Sequence, residues 1–327
     1  MKKLSIASVL ISLSAGLMAL GGGQAAAQGA PAGAVKLVVG FAAGGSNDVV
    51  ARIVAKKAAE ILGVPIVVQN QPGANGAIAA EAVARAKPDG QTLLIASPSV
   101  LAIAPHLTPN LPYNPLTDFV GIGSVAVNAQ VIAVNPGVKA QNMKEFLALT
   151  KSSDLTMGAA GTGGLSHLTI ELLKLSAGVK LTVVPFKGGA PATNDAVAGH
   201  INGIVMDLPP LKSFIEAGRL RALAVTSQNR SKFLPGVPTA IEAGVRDMDA
   251  VNWFAILAPK GTPDKTADAL YAAFTKAAQD PAVVETLAQS GIEPMTQKSR
   301  ADFNTFLKSE LERWGKVVKT ANIAVNK

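Results

Sequence analysis

A buried-strand pattern, a glycine-rich loop and an amphipathic-helix pattern follow one another over residues 36–62, and the same order returns with different residues over 155–177. The first loop reads Gly40-Phe41-Ala42-Ala43-Gly44-Gly45-Ser46-Asn47-Asp48 and the second Gly158-Ala159-Ala160-Gly161-Thr162-Gly163-Gly164-Leu165-Ser166-His167. Glycine lets the backbone turn sharply and come close to a ligand, and a helix start aims unpaired N–H groups into the loop, which suits an anion. Two such units constrain the chain to an α/β architecture, where ligands sit beyond the carboxyl ends of the strands. Either loop alone is equally explained as a tight strand-to-helix turn. The pair argues for a cleft with the loops facing each other.

The remaining pattern extends this order. Residues 36–41, 64–69 and 92–97 read as strands, with helices at 47–62, where Ser46 is the expected N-cap and Gly63 lies past the end, and at 77–86. Strands at 130–134, 155–159, 180–186, 201–206 and 220–226 alternate with helices at 142–152, 165–177, 190–198 and 210–217. A strand at 253–258 then precedes helices at 263–279, 281–289 and 300–321. The expected fold is therefore two α/β lobes, each a sheet flanked by helices, with a ligand cleft between them. One lobe takes 34–130 plus 253–327 and the other 131–252, the chain crossing near Gln130 and Trp253.

Lys2 and Lys3 precede an apolar, serine-containing stretch at 4–20, and Ala25-Ala26-Ala27 fits an A-x-A cleavage site. Residues 1–27 are read as a secretory signal peptide, which leaves 300 of 327 residues and a periplasmic protein. Cys 0 rules out disulfides and thiolate metal sites. The formal charge of +8 falls to +6 without Lys2 and Lys3, and the remaining Lys and Arg are scattered, so no nucleic-acid partner is expected. Aromatic residues are few (Phe 10, Trp 2, Tyr 2), which argues against a sugar site built on stacked rings.

Several sharper motifs fail. Gly40 and Gly45-Ser46 imitate a P-loop spacing, but Ser46 stands where the phosphate-binding lysine belongs, and Gly161-Thr162-Gly163 lacks the third glycine of a dinucleotide loop. Neither loop holds a G-x-S-x-G nucleophile elbow. Ser166 and His167 are sequence neighbours on a helix start and point in different directions, while His106 and His200 lack metal-ligand spacing and read as surface or packing residues. No catalytic residue, metal site or cofactor is expected. Asp48 reads either as a first-turn carboxylate favoured by the helix dipole or as a pocket residue. Lys187 is either a cation at the cleft or solvated, and Asp207 accepts a hydrogen bond from a ligand amine or from a neighbouring loop.

A series of short motifs then follows in order: Phe41-Ala42-Ala43-Gly44-Gly45-x-x-Asp48, Val68-Gln69-Asn70-Gln71-Pro72-Gly73-Ala74-Asn75-Gly76, Lys87-Pro88-Asp89-Gly90-Gln91-Thr92, Ser166-His167-Leu168, Pro185-Phe186-Lys187-Gly188, Ala217-Gly218-Arg219-Leu220-Arg221-Ala222, Leu234-Pro235-Gly236-Val237-Pro238-Thr239 and Trp314-Gly315-Lys316-Val317-Val318. In this order they resemble the extracytoplasmic solute receptors of the tripartite tricarboxylate transporters, the Bug or TctC family. The resemblance implies a two-lobed, type II-like periplasmic binding protein, expected to be a monomer, that encloses a small carboxylate (a dicarboxylate, tricarboxylate, amino acid or aromatic acid) and delivers it to separate membrane permease subunits. It implies a ligand site made by Phe41, Ala43, Gly44, Gly45, Ser46, Asn47 and Asp48 with Thr162, Gly163, Ser166 and His167. Ser97, Ser99, Lys187, Gly188 and Asp207 complete the implied site. Gly40, Ala42 and Ala43 stand where prolines are usual in the family and Phe186 where tyrosine is usual. Two other readings are a ligand-sensing subunit for a membrane sensor kinase and, from a different class, a periplasmic serine hydrolase using Ser166 or Ser46.

Overall fold

The computed structural model describes residues 29–321, so the expected signal peptide lies outside the described residues. Three parallel strands open the chain: β1 (Val35–Val39), β2 (Ile66–Asn70) and β3 (Thr92–Ala96). Between them run α1 (Ser46–Leu62) and α2 (Ala77–Ala84). Helix α1 buries Val50, Ala51, Val54, Ala55, Ala58 and Leu62, the one-sided spacing of an amphipathic helix, and stops at left-handed Gly63, whose N–H returns to the Ala59 carbonyl. After β3 the chain makes a wide helical turn, Ser99–Ile103, and a short α3 (Ala104–Leu107).

Strand β4 (Phe119–Val134) is far longer than the expected 130–134 and is the spine of the molecule. Its first part, to Ala129, pairs with β9 (Val251–Pro259), and Gln130 to Val134 pair with β7 (Gly203–Asp207). The pairing path is β2-β1-β3-β9-β4-β7-β5-β6, where β5 is Thr156–Ala160 and β6 is Thr182–Phe186. Strands β8 (Arg221–Val225) and β10 (Glu293–Pro294) also join β4. Two sheet halves thus share one strand, each curling away from the crossing at Ala129 and Gln130.

Helices α4 (Met143–Leu149), α5 (Leu165–Ala177), α6 (Gly189–Ala198) and α7 (Leu208–Glu216) cover the second half. Helices α8 (Asp264–Gln279), α9 (Pro281–Gln289) and α10 (Arg300–Ala321) return to the first. Leu270 and Phe274 of α8 share a core with Val50 and Val54 of α1, and Phe303, Leu307 and Trp314 of α10 pack on the opposite face with Leu94 and Trp253. Trp253 fixes α10 further, its indole N–H donating to Glu310 Oε2 at 2.7 Å. The second half has its own two layers, one around Phe146 and Leu173 and one around Ile204 and Leu211.

Candidate functional site

The carboxyl ends of β1, β3, β5, β6 and β7 carry the loops singled out in the sequence. Helices α1 and α5 both begin at a glycine N-cap, Gly45 and Gly164, and neither has a side-chain cap, whereas Asn142 and Asp280 cap α4 and α9. Ser46 is therefore the first helical residue rather than the expected cap. A helix that starts this way leaves N–H donors and the positive end of its dipole for a ligand.

The buried Asp48 carboxylate is engaged by protein partners. It accepts the Gly44 N–H at 2.9 Å, Arg52 Nε at 3.0 Å and Asn70 Nδ2 at 2.9 Å, and Asn70 Nδ2 also donates to the Phe41 carbonyl at 3.0 Å. Burial pushes this carboxyl up, but the bonds from Arg52, Gly44 and Asn70 outweigh it and hold the group below its ordinary range. The network braces the backbone of the first loop, leaving Ala43, Gly44 and Gly45 exposed at its tip. Positive φ falls at Gly44 (φ 82), while Gly45 is extended (φ −78, ψ 167).

The second loop is braced in the same way by different chemistry. Gly163 N–H donates to His167 Nδ1 at 2.8 Å, four residues on, as Gly44 does to Asp48. Ser166 Oγ accepts the Ala160 N–H at 2.8 Å, and Gly161 N–H donates to the Phe186 carbonyl at 2.8 Å, which sets Lys187 and Gly188 beside the loop. Lys187 is exposed and forms no ion pair among the described residues. Gly188 (φ 116) opens α6 without a side-chain cap.

Residues from the first sheet half complete this loop. Ser99 Oγ accepts the Leu165 N–H at 3.0 Å, and Asn75 Nδ2 donates to the Thr162 carbonyl at 2.6 Å. Ser97 is buried at the end of β3, where its carbonyl holds the next turn through Val100 and Leu101.

Asp207 lies at the crossing of the two halves. In register, Gln130 opposes Asp207 and Asn128 opposes Asn252, so the four side chains share one face of the sheet. Asn252 Nδ2 donates to Asp207 Oδ2 at 2.7 Å and Gln130 Nε2 to Oδ1 at 3.3 Å, with the Ser46 hydroxyl also beside the carboxyl. Burial pushes the Asp207 carboxyl up against the opposing effect of Ser46, Asn252, Gln130 and Asn128. The amide oxygens of Asn47, Asn128, Gln130 and Asn252 are buried without a partner among the described residues. Sequence reasoning missed Arg52, Asn70, Asn75, Asn128, Gln130 and Asn252. Two surface grooves, about 310 Å³ beside Arg300 and about 680 Å³ beside Arg313, contain none of these groups.

A family model described as the tripartite tricarboxylate transporter family receptor matches residues 50–323. The chain belongs to this receptor family. Protein BugT of Bordetella pertussis is 36% identical over 292 residues, 88% of this chain and 89% of that relative. Among solved structures, R. palustris Rpa4515 with adipate matches at TM-score 0.83 and 32% identity, covering 90% of this chain and 99% of that one. MatC from Rhodopseudomonas palustris with bound malate matches at TM-score 0.81 and 31% identity, covering 88% and 99%. The receptor has the mixed α/β fold of periplasmic binding proteins, and it is a binding protein rather than an enzyme. In the second loop Ser166 Oγ and His167 Nδ1 each accept a separate backbone N–H. No helix among the described residues is long and apolar enough to cross a membrane.

The bond to His167 makes the receptor's second loop sensitive to pH. Burial lowers the His167 pKa from the ordinary 6.5, with Glu171 opposing and Lys174 assisting. Folding thus favours the neutral ring, so its contribution to stability is complete above about 6.5 and fades as pH falls toward the lower folded value. Protonated Nδ1 presents a donor to the Gly163 N–H and breaks the brace. The Gly163 amide resonance should therefore titrate with a midpoint below 6.5, and a midpoint at or above 6.5 would sink this account.

Proposed function

We propose that the protein is a periplasmic solute receptor that captures a small carboxylate between the N-termini of α1 and α5 and passes it to the membrane permease of a tripartite transporter. The observation that carries this reading is the pair of glycine-capped helix starts, each lacking a side-chain cap and preceded by a glycine whose N–H is held by a side chain four residues on, with Asn75 and Ser99 of the first sheet half bonded to the second loop. Free N–H groups at two helix starts match the two oxygens of a carboxylate. Adipate and malate in the related structures each carry two carboxylates, which favours a dicarboxylate here. The candidate ligand set is Phe41, Ala43, Gly44, Gly45, Ser46 and Asn47 with Ser97, Ser99, Thr162, Gly163, Ser166, Lys187 and Gly188, while Asp48 and His167 hold the loops in shape.

The lobes proposed are 34–130 plus 253–327 and 131–252, closing about the β4 and β9 crossings, and residues 1–27 are the proposed export signal of a monomeric receptor. Thermal melting of the mature protein with dicarboxylates of increasing chain length tests the reading. A ligand at a hundred times its Kd should add about 2.7 kcal/mol of stability. No shift from any carboxylate at millimolar concentration would refute it.

A further inference from the structure

The segment Gly73-Ala74-Asn75-Gly76 follows β2, and its four successive residues have positive φ: 146, 46, 51 and 94. Two of the four are not glycine, and an alanine at φ 46 has no side-chain bond to offset the strain. A turn of this kind persists only where its surroundings hold it. Both of its flanks touch a candidate ligand loop. On one side it lies against Gly40, where a Cβ would come within 2.6 Å of Gly76 Cα. On the other, the Asn75 amide donates to the Thr162 carbonyl at 2.6 Å, and a Cβ at Gly161 would fall on Asn75 Oδ1. Glycine at 40 and at 161 is thus what lets one turn touch both loops.

We infer that Asn75 is a positioning residue that fixes the second loop against the first and holds the two sheet halves together across the cleft before any ligand arrives. The left-handed backbone at 75 aims the amide, and asparagine is the polar side chain that best tolerates that conformation. A second bond across the same gap, Leu165 N–H to Ser99 Oγ at 3.0 Å, supplies an independent reporter. The inference rests on the reading of both loops as one carboxylate site, but its test uses no ligand, so the two fail separately.

The test is amide hydrogen exchange on the ligand-free protein, which detects openings however rare. Asn75→Gly keeps the left-handed backbone and deletes only the amide, and Asn75→Asp turns the donor into an acceptor facing a carbonyl. In Asn75→Gly the Leu165 amide should exchange about fivefold faster, the loss expected for one neutral hydrogen bond. In Asn75→Asp the acceleration should be larger. The Val205 amide, paired inside β7, should keep its rate in both. Parental exchange at Leu165 in Asn75→Asp would overturn the inference. Equal acceleration at Leu165 and Val205 would overturn it as well, because the side chain would then be serving global stability only.

Discussion

Gly44→Val is expected to weaken carboxylate binding by about a hundredfold or more while the protein still folds. Gly44 sits at φ 82, a region that a β-branched residue enters only as an outlier. Holding valine there costs about 1–3 kcal/mol, and the loop relieves that cost by rotating the peptide away from left-handed geometry. Rotation withdraws the Gly44 N–H from Asp48 and turns the neighbouring N–H groups off the cleft. Each hydrogen bond lost to a charged ligand is worth about 1.5–3 kcal/mol, or roughly ten- to a hundredfold in Kd. Stability should fall only by the residual strain and the lost Gly44–Asp48 bond, since a Cβ at Gly44 meets nothing within 4 Å.

Gly45→Ala is the companion variant. Gly45 is extended, and its Cβ would meet the Ala42 carbonyl at an ordinary 3.5 Å, so the backbone should not move. Calorimetric titration of both variants, with the carboxylate that gives the largest thermal shift, separates backbone geometry from simple bulk. Parental affinity in Gly44→Val would remove the first loop from the site.

The legibility of this chain in its sequence follows the range of the interactions. Helices α5 and α10 occupy the residues expected from periodicity, because apolar spacing and the glycine stop at Gly178 are local signals. Most of β4 escaped because Gly121, Gly123 and Asn128 interrupt its apolar run. Those residues are explained only by distant partners, such as Phe303 against Gly121 and Asn252 opposite Asn128. The ligand loops were legible as glycine-rich turns, but which side chains brace them was not. Asp48 was equally readable as a pocket residue until Asn70 and Arg52 came into contact with it. Asn75 meets Thr162 across 87 positions, and its one local trace is an asparagine placed between glycines. The sequence presents Gly44 and Gly45 alike, and only the structure shows that the left-handed φ falls at Gly44 while Gly45 is extended.

Asp207→Asn should leave the protein as stable as the parent or more stable at neutral pH, and should flatten its stability at rising pH. The Asp207 carboxyl is buried at the β4 crossing with no cation paired to it among the described residues, and burial raises its pKa above the ordinary 3.8. The native state therefore holds this proton over a pH range where the unfolded chain has released it. Stability then falls as pH rises from about 3.8 through the folded value, the reverse of a salt-bridged aspartate. An amide of the same shape carries no charge to desolvate. It also supplies two donors to a cluster whose amide oxygens at Asn47, Asn128, Gln130 and Asn252 lack partners. Asn252 and Gln130 now donate to the carboxylate, and by side-chain rotation one of them must adapt to the asparagine. Satisfying buried acceptors is worth about 1–3 kcal/mol, enough to exceed that rearrangement. Urea denaturation of both proteins from pH 4 to pH 8 measures the difference directly. The expected result is a gap in favour of Asp207→Asn that widens with pH. A loss of about 2 kcal/mol at neutral pH that disappears in acid would mean instead that Asp207 is an ionised anchor held by its amide donors and by the start of α1.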